Sequence, residues 1–293
     1  MKILFIGSVD FSAQALEKLI SLDANIVGIC TLEKSSFNSD FFDLSHIAKK
    51  NGIPFQYSDD INSKVSLDWI KSLSPDIIFC FGWSRLLKAE LLNVPSMGVL
   101  GFHPALLPQN RGRHPIIWSL ALGLSKTGST FFFMDEGADS GDILSQKEIE
   151  ISREDDSSAL YAKISSTALH QIEEFLPELI EGKVNKIPQN HSLANYWRKR
   201  DSDDGRIDWR MTSNNILNLV KALNKPYPGA HFVYNNLPVK VFHLEILNFE
   251  LKNVEPGKII SRDENSLDIK SGDGAVRILL ASNLEIKSGD YLN

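Results

Sequence analysis

His103 is the side chain whose setting most suits chemistry. It stands in the stretch Gly101–Trp118, GFHPALLPQNRGRHPIIW. Pro104 and Pro108 restrict the backbone on its C-terminal side, and Leu106-Leu107-Pro108 lays an apolar wall beside the ring. Arg111-Gly112-Arg113 adds two guanidiniums on a flexible pivot, a geometry suited to phosphate or carboxylate. A lone histidine at a strand end is commonly structural. With these neighbours it reads as an acid–base group. A second patch, MDEGADSGDIL from Met134 to Leu144, packs four acids and two glycines into a tight turn. EF-hand spacing and the terminal Glu of a calcium loop are absent. The patch is then either a solvated hairpin or the source of a carboxylate that orients the imidazole.

Positioning such groups falls to the first ~100 residues, which alternate between two periods. KILFIG, NIVGICTL, IPFQYS, DIIFCFGW and MGVLGFHPA read as strands, and FSAQALEKLISL, DLSHIAKK, VSLDWIKSL and AELL as helices between them. Strands apolar on both faces and separated by helices predict a mostly parallel α/β sheet. GSVDF, GWSRLL and FHPALLP then fall at the carboxyl ends of strands, where ligands bind in open α/β sheets. GSVDF lacks the glycine spacing of a dinucleotide fingerprint.

Further along, HPIIWSLALGL reads as a helix, and GSTFFFMD and DILSQKEIEI as strands joined by EGADSG. A long helix follows from Ser157, with Pro177 inside it as a possible kink. The chain is polar and loop-like from Lys183 to about Gly205. Beyond it, a helix over SNNILNLVKALN and the short strands AHFVYNN, PVKVFHLEIL, GKIISR, SLDIKS and AVRILLAS predict a small β-rich domain, with a barrel as one form. The expected divisions are 1–183, a linker over 184–205, and 206–293.

Composition narrows the function. The chain has 293 residues, 43% hydrophobic and 23% charged, with a net charge of −6. An acidic balance argues against nucleic-acid phosphates as partners. Cys30 and Cys80 lie inside apolar runs and read as buried thiols, not metal ligands. No apolar stretch reaches the roughly 18 residues of a membrane span, and MKILFIGSVDF is not a signal peptide. The chain reads as cytoplasmic, with no membrane and no metal.

The stretch HPALLPQNRGRHPIIWSLALGLSKTGSTFFFMDEGADSGDIL resembles the signature of the folate-dependent formyltransferases. Its parts are His-Pro-x-Leu-Leu-Pro, Arg-Gly, Thr-Gly-x-Thr and Met-Asp-x-Gly-x-Asp-x-Gly. The resemblance runs from FIGSVDFSAQALEKLI to RIDW and PYPGA. It implies a Rossmann-like catalytic domain, a small C-terminal domain and 10-formyltetrahydrofolate as formyl donor. The family's catalytic Asn, His and Asp map to Gly101, His103 and Asp139. Gly101 is a departure: it has no side chain to hold the formyl oxygen, so either a backbone N–H, a water or a nearby polar side chain such as Asn110 does that job, or the chemistry is weakened. The donor is expected against the loop Trp83, Ser84, Arg85, Leu86 and Leu87, and against Asp135, Gly137 and Asp139 of the acidic turn.

The transfer RNA enzymes of the family carry a basic, glycine-rich loop after the second strand. The matching stretch here, EKSSFNSDFFDL, is neutral to acidic. FGWSRLL and YWRKRDSDDGRIDW instead resemble the enzymes that formylate amino sugars carried on nucleotides. That implies Arg111, Arg113, Lys199 and Arg200 as substrate-binding residues, and a homodimer. A role in bacterial surface polysaccharide follows from the same resemblance. The alternatives are the transfer RNA enzyme, and a binding protein of the same fold without catalysis.

Overall fold

The computed structural model describes residues 1–35, 39–249, 251–279 and 286–292. The chain forms two compact units. One comprises Met1–Pro115, Thr127–Ile149 and Ala162–Trp197, the other Ile116–Lys126, Glu150–Tyr161 and Arg198–Asn293.

In chain order the elements are β1 (Ile3–Ile6), α1 (Asp10–Ser21), β2 (Ile26–Thr31), α2 (Ser45–Lys50), β3 (Phe55–Tyr57), α3 (Lys64–Leu73), β4 (Ile77–Cys80), α4 (Ala89–Leu92), β5 (Val99–His103), β6 (Arg111–Gly112), α5 (Pro115–Ala121), β7 (Lys126–Phe133), β8 (Ile143–Glu150), α6 (Ser157–Ile180) and β9 (Tyr196–Trp197). The first unit is built on a seven-stranded sheet in the order β3-β2-β1-β4-β5-β7-β8. β1 to β5 pair in parallel, and β7 pairs antiparallel with β5. Strand order reverses between β1 and β4, the point where such sheets open a ligand crevice at their carboxyl ends.

The sheet forms because its strands are apolar on both faces. Ile3, Leu4, Phe5, Ile6, Ile77, Ile78 and Phe79 are fully buried. Burying each such side chain is worth roughly 1.5–3 kcal/mol. α1 buries Phe11, Ala15, Leu16 and Leu19, one face at helical spacing. α3 is capped by Ser63, whose hydroxyl accepts the Ser66 N–H at 3.2 Å. One face of β5 and β7 carries an aromatic stack: Phe102 lies 4.4 Å from Phe11 and 4.9 Å from Phe131, whose ring meets Phe175 of α6 edge-on at 5.0 Å. Period-2 alternation puts Gly101 and His103 on the other face. α6 runs through Pro177 without a break in its helical assignment.

The second unit contains α7 (Ser213–Ala222), β10 (Ala230–Tyr234), β11 (Leu237–Val241), β12 (Leu244–Leu247), β13 (Ile259–Arg262), β14 (Ser266–Lys270) and β15 (Ala275–Leu279). Among the described residues these strands form a hairpin, β10-β11, and an antiparallel sheet in the order β12-β15-β14-β13, with no closed barrel. PVKVFHLEIL, expected as one strand, is two: pairing breaks at Phe242 and His243 and each half joins a different sheet. Residues 280–282, the end of the expected strand AVRILLAS, lie outside the described residues.

The boundary between the two units falls inside the polar tract 184–205. Its first part, to Trp197, belongs to the first unit, where Tyr196 and Trp197 pair with Arg111 and Gly112. The rest belongs to the second. A polar composition reads as loop, but Gln189 is buried and holds main-chain groups in place.

Candidate active site

His103 ends β5 at the carboxyl edge of the sheet and is 4% exposed. Its Nε2 lies 2.7 Å from the backbone carbonyl of Asn110. A carbonyl only accepts, so Nε2 carries the hydrogen and donates it. The loop from Pro104 to Arg111 thus folds back on the ring. Thr130 Oγ1 donates to Ala105 O at 2.6 Å, and Gln146 Nε2 donates to Leu107 O and Thr130 Oγ1, each at 2.9 Å, which fixes the loop from beneath.

The second ring nitrogen, Nδ1, faces Asp139 Oδ2 at 3.6 Å. Asp139 sits in the β7–β8 turn with a positive φ of 53°, a conformation that Asp tolerates better than most residues. The same Oδ2 accepts the Gly112 N–H at 2.8 Å. Asp135 closes the turn: its Oδ1 accepts Gly137 N–H at 2.9 Å and Ser140 Oγ–H at 2.6 Å. A Cβ on Gly141 would lie 1.8 Å from the main-chain oxygen of Phe133, so the turn needs that glycine, while one on Gly137 would lie 2.0 Å from Ser140 Oγ and displace that side chain. The structure therefore brings His103, Asp139, Asp135 and Gly137 to one edge.

Arg111 does not stand where a substrate phosphate would meet it. It is 1% exposed. Its guanidinium donates to Gln189 Oε1 at 3.2 and 2.6 Å and to Tyr196 OH at 2.9 Å, and it meets His191 Nδ1 at 3.2 Å. The expectation of substrate contact fails because the side chain is directed into the protein. Arg113 is partly exposed and ties the two site loops together, donating to Ser84 O at 2.8 Å. Lys199 and Arg200 belong to the second unit. There Arg200 is 8% exposed, stacks over the Trp118 ring at 4.5 Å and donates to Asp204 O; Lys199 is exposed.

The loop after β4 holds the other expected donor contacts. Leu87 is buried in the core and Leu86 is 69% exposed, with its carbonyl taken by Asn62 Nδ2. Arg85 lies over the Trp83 ring at 5.9 Å. Trp83 Nε1 is a buried donor with no acceptor among the described residues. Ser12 Oγ stitches this loop to the one after β1: it accepts from Ser8 N and Val9 N, each at 3.2 Å, and donates to Phe81 O at 2.6 Å.

Gly101 is enclosed. A Cβ there would lie 2.8 Å from Met134 Cγ and 3.0 Å from Phe132 Cζ. Those two side chains fill the space that an asparagine side chain would enter. Asn110 is tied to Asn195: its side-chain oxygen accepts from Asn195 Nδ2 at 3.2 Å and its backbone N–H donates to Asn195 Oδ1 at 2.8 Å. Burial pushes the thiol of Cys30 up to about 12 and that of Cys80 up as well, so neither is a nucleophile near neutral pH. Among the described residues no group of three His, Cys, Asp or Glu could hold a metal ion, and no helix is long and apolar enough to cross a membrane.

Residues 1–176 match the family described as formyl transferase, and residues 199–289 match its C-terminal domain. The chain belongs to the formyl transferase family. A curated relative, the bifunctional polymyxin resistance protein ArnA of Wigglesworthia glossinidia brevipalpis, is 33% identical over 282 residues; the match covers 92% of this chain but 42% of ArnA. Among solved structures, WlaRD, a sugar 3N-formyl transferase crystallised with dTDP and 5-N-formyl-THF, superposes with a TM-score of 0.73 at 17% identity, covering 97% of this chain and 99% of the other. An N-formyltransferase from Helicobacter canadensis, in complex with folinic acid and dTDP-3-aminofucose, gives 0.71 at 19% identity, covering 96% and 99%. These two superpositions establish the family's fold over nearly the full chain.

Sequence reasoning missed Gln189, Asn195 and Tyr196, which hold the loop after His103 and the acidic turn. Their one sequence signal is a set of large polar side chains in a tract otherwise read as solvated.

Proposed function

We propose that this chain is an N-formyltransferase that moves a formyl group from 10-formyltetrahydrofolate to the amine of a nucleotide-linked amino sugar. The reading rests most on the His103–Asp139 pair, with Nδ1 and Oδ2 3.6 Å apart at the carboxyl edge of a formyl transferase sheet. The names of the relatives support the acceptor class: one is a sugar 3N-formyl transferase, another binds a dTDP-amino sugar. The net charge of −6 and the acidic stretch from Glu33 to Leu44 weigh against a transfer RNA acceptor. Residues 36–38 of that stretch lie outside the described residues. The resemblance to the sugar enzymes further suggests a cytoplasmic homodimer serving surface polysaccharide synthesis.

In this mechanism the neutral amine attacks the formyl carbon. A C–N bond forms and the carbonyl oxygen becomes an oxyanion. The amine's proton passes to His103 Nδ1, the ring nitrogen not held by Asn110, and Asp139 steadies the imidazolium. The bond from the formyl carbon to N10 of the folate breaks, and the proton goes to that nitrogen. The products are the formamide and tetrahydrofolate. The donor's ring system would lie along the 83–87 loop, where the Trp83 indole N–H lacks an acceptor.

A second reading, a binding protein without turnover, is favoured by one observation: Met134 and Phe132 occupy the place of the family's asparagine. Incubating the protein with 10-formyltetrahydrofolate and a panel of nucleotide-linked amino sugars, with initiator transfer RNA alongside, separates the readings. Formylation of a sugar amine supports the proposal. Formylation of the transfer RNA alone, or of nothing, contradicts it.

A further inference from the structure

We infer that Arg111 and Gln189 are positioning residues for the Asp139–His103 pair, an inference that rests on the formyl-transfer reading above. Gln189 is 6% exposed and its amide makes four contacts. Oε1 accepts twice from Arg111, and the two Nε2 hydrogens go to Asp139 O at 2.9 Å and Gly141 O at 2.6 Å. These partners fix the orientation of the amide, because a guanidinium only donates and a carbonyl only accepts.

The relay holds the pair from both sides. Through Gln189, Arg111 reaches the main-chain carbonyls of Asp139 itself and of Gly141, and so holds the turn that aims the Asp139 carboxylate. Directly, Arg111 precedes Gly112, whose N–H donates to that carboxylate at 2.8 Å. β6 pairs with β9, Arg111 against Tyr196 and Gly112 against Trp197, while Tyr196 OH also caps the guanidinium. Among the described residues the acceptors around Arg111 are neutral, so this buried cation is not half of an ion pair. Removing the Gln189 donors would free the turn to carry Asp139 away from His103. Displacement of a reacting group by about 1 Å costs on the order of 100-fold in rate.

Gln189→Glu is the discriminating variant. It keeps an acceptor for Arg111, now charged, and removes both N–H donors to the turn. The expected result is a kcat lower by tenfold or more, with KM for both substrates within about twofold, and almost no further loss when the same change is made in an Asp139→Ala background. An equal fold-loss in both backgrounds would show that Gln189 acts independently of Asp139 and overturn the relay. Should Gln189→Glu not fold, Gln189→Met serves in the same cycle. If the wild type formylates no acceptor, the functional reading fails by itself. The relay is then read from the imidazole NMR signals of His103: a titration midpoint moved by Gln189→Glu supports it, and an unmoved one overturns it.

Discussion

The backbone carbonyl of Asn110 accepts the Nε2 hydrogen of His103 at 2.7 Å, and this leaves Nδ1 as the nitrogen that faces Asp139. His103 and Asn110 are seven positions apart in the chain, so the ring is anchored by the fold-back of its own loop. The anchor selects the tautomer: the neutral ring carries its hydrogen on Nε2 and offers a lone pair at Nδ1. A histidine held this way accepts a proton at one defined atom.

His103→Ala removes that atom. Turnover should fall by about a hundredfold or more, the usual range for a general acid–base group, while donor affinity stays within a few fold. Steady-state kinetics and a donor titration check it. Near-normal turnover would remove His103 from the mechanism.

In the proposed mechanism Asp139 acts through His103. The double variant His103→Ala, Asp139→Ala should therefore be scarcely slower than the slower single variant, because groups working as a unit are not additive. Losses that multiply in full would mean that the two side chains act independently.

Strand periodicity puts the side chain of a Gly101→Asn variant on the same face as His103. The packing changes the expectation. With Met134 Cγ at 2.8 Å and Phe132 Cζ at 3.0 Å from the added Cβ, the single variant should be destabilised by roughly 1–3 kcal/mol, the range for overpacking a core. Gly101→Asn with Met134→Ala should recover part of that in urea unfolding. A rate rise of tenfold or more in the double variant, on the order of 1.4 kcal/mol, would mean that the native site lacks an oxyanion donor. A single variant as stable as wild type would contradict the packing argument.

Acid should weaken the second unit through Asp204. Arg198 holds the Asp204 carboxyl down at about 2. A carboxylate whose folded value lies below its unfolded one contributes stability above about pH 4 that is lost as pH falls towards 2. Urea midpoints of wild type and Asp204→Asn should therefore differ at pH 5 and above and converge between about pH 4 and pH 2. A gap that persists unchanged at pH 2 would assign the effect to packing.

Much of the fold was legible because apolar periodicity decides it. The alternation of strand and helix through β5 follows from strands buried on both faces, and the helix at Ser157 from its long amphipathic run. The catalytic candidates were legible for another reason: prolines and glycines mark places where the backbone is constrained. Arg111 was misread because a guanidinium after a turn signals an anion site unless something buries it, and what buries it is Gln189, Tyr196 and His191, about 80 residues on. No local pattern announces such a partner. The break at Phe242 and His243 was hidden likewise, since which sheet each half joins depends on distant strands.

The most direct test is to supply 10-formyltetrahydrofolate labelled with ¹³C in the formyl group, together with a dTDP-linked amino sugar, and follow the label by mass spectrometry and NMR. A ¹³C formamide on the sugar nitrogen, formed by the wild type and greatly slowed in His103→Ala, is the predicted result. Label that stays on the folate across the full panel of nucleotide-linked amino sugars, or that transfers equally well without His103, would contradict the account.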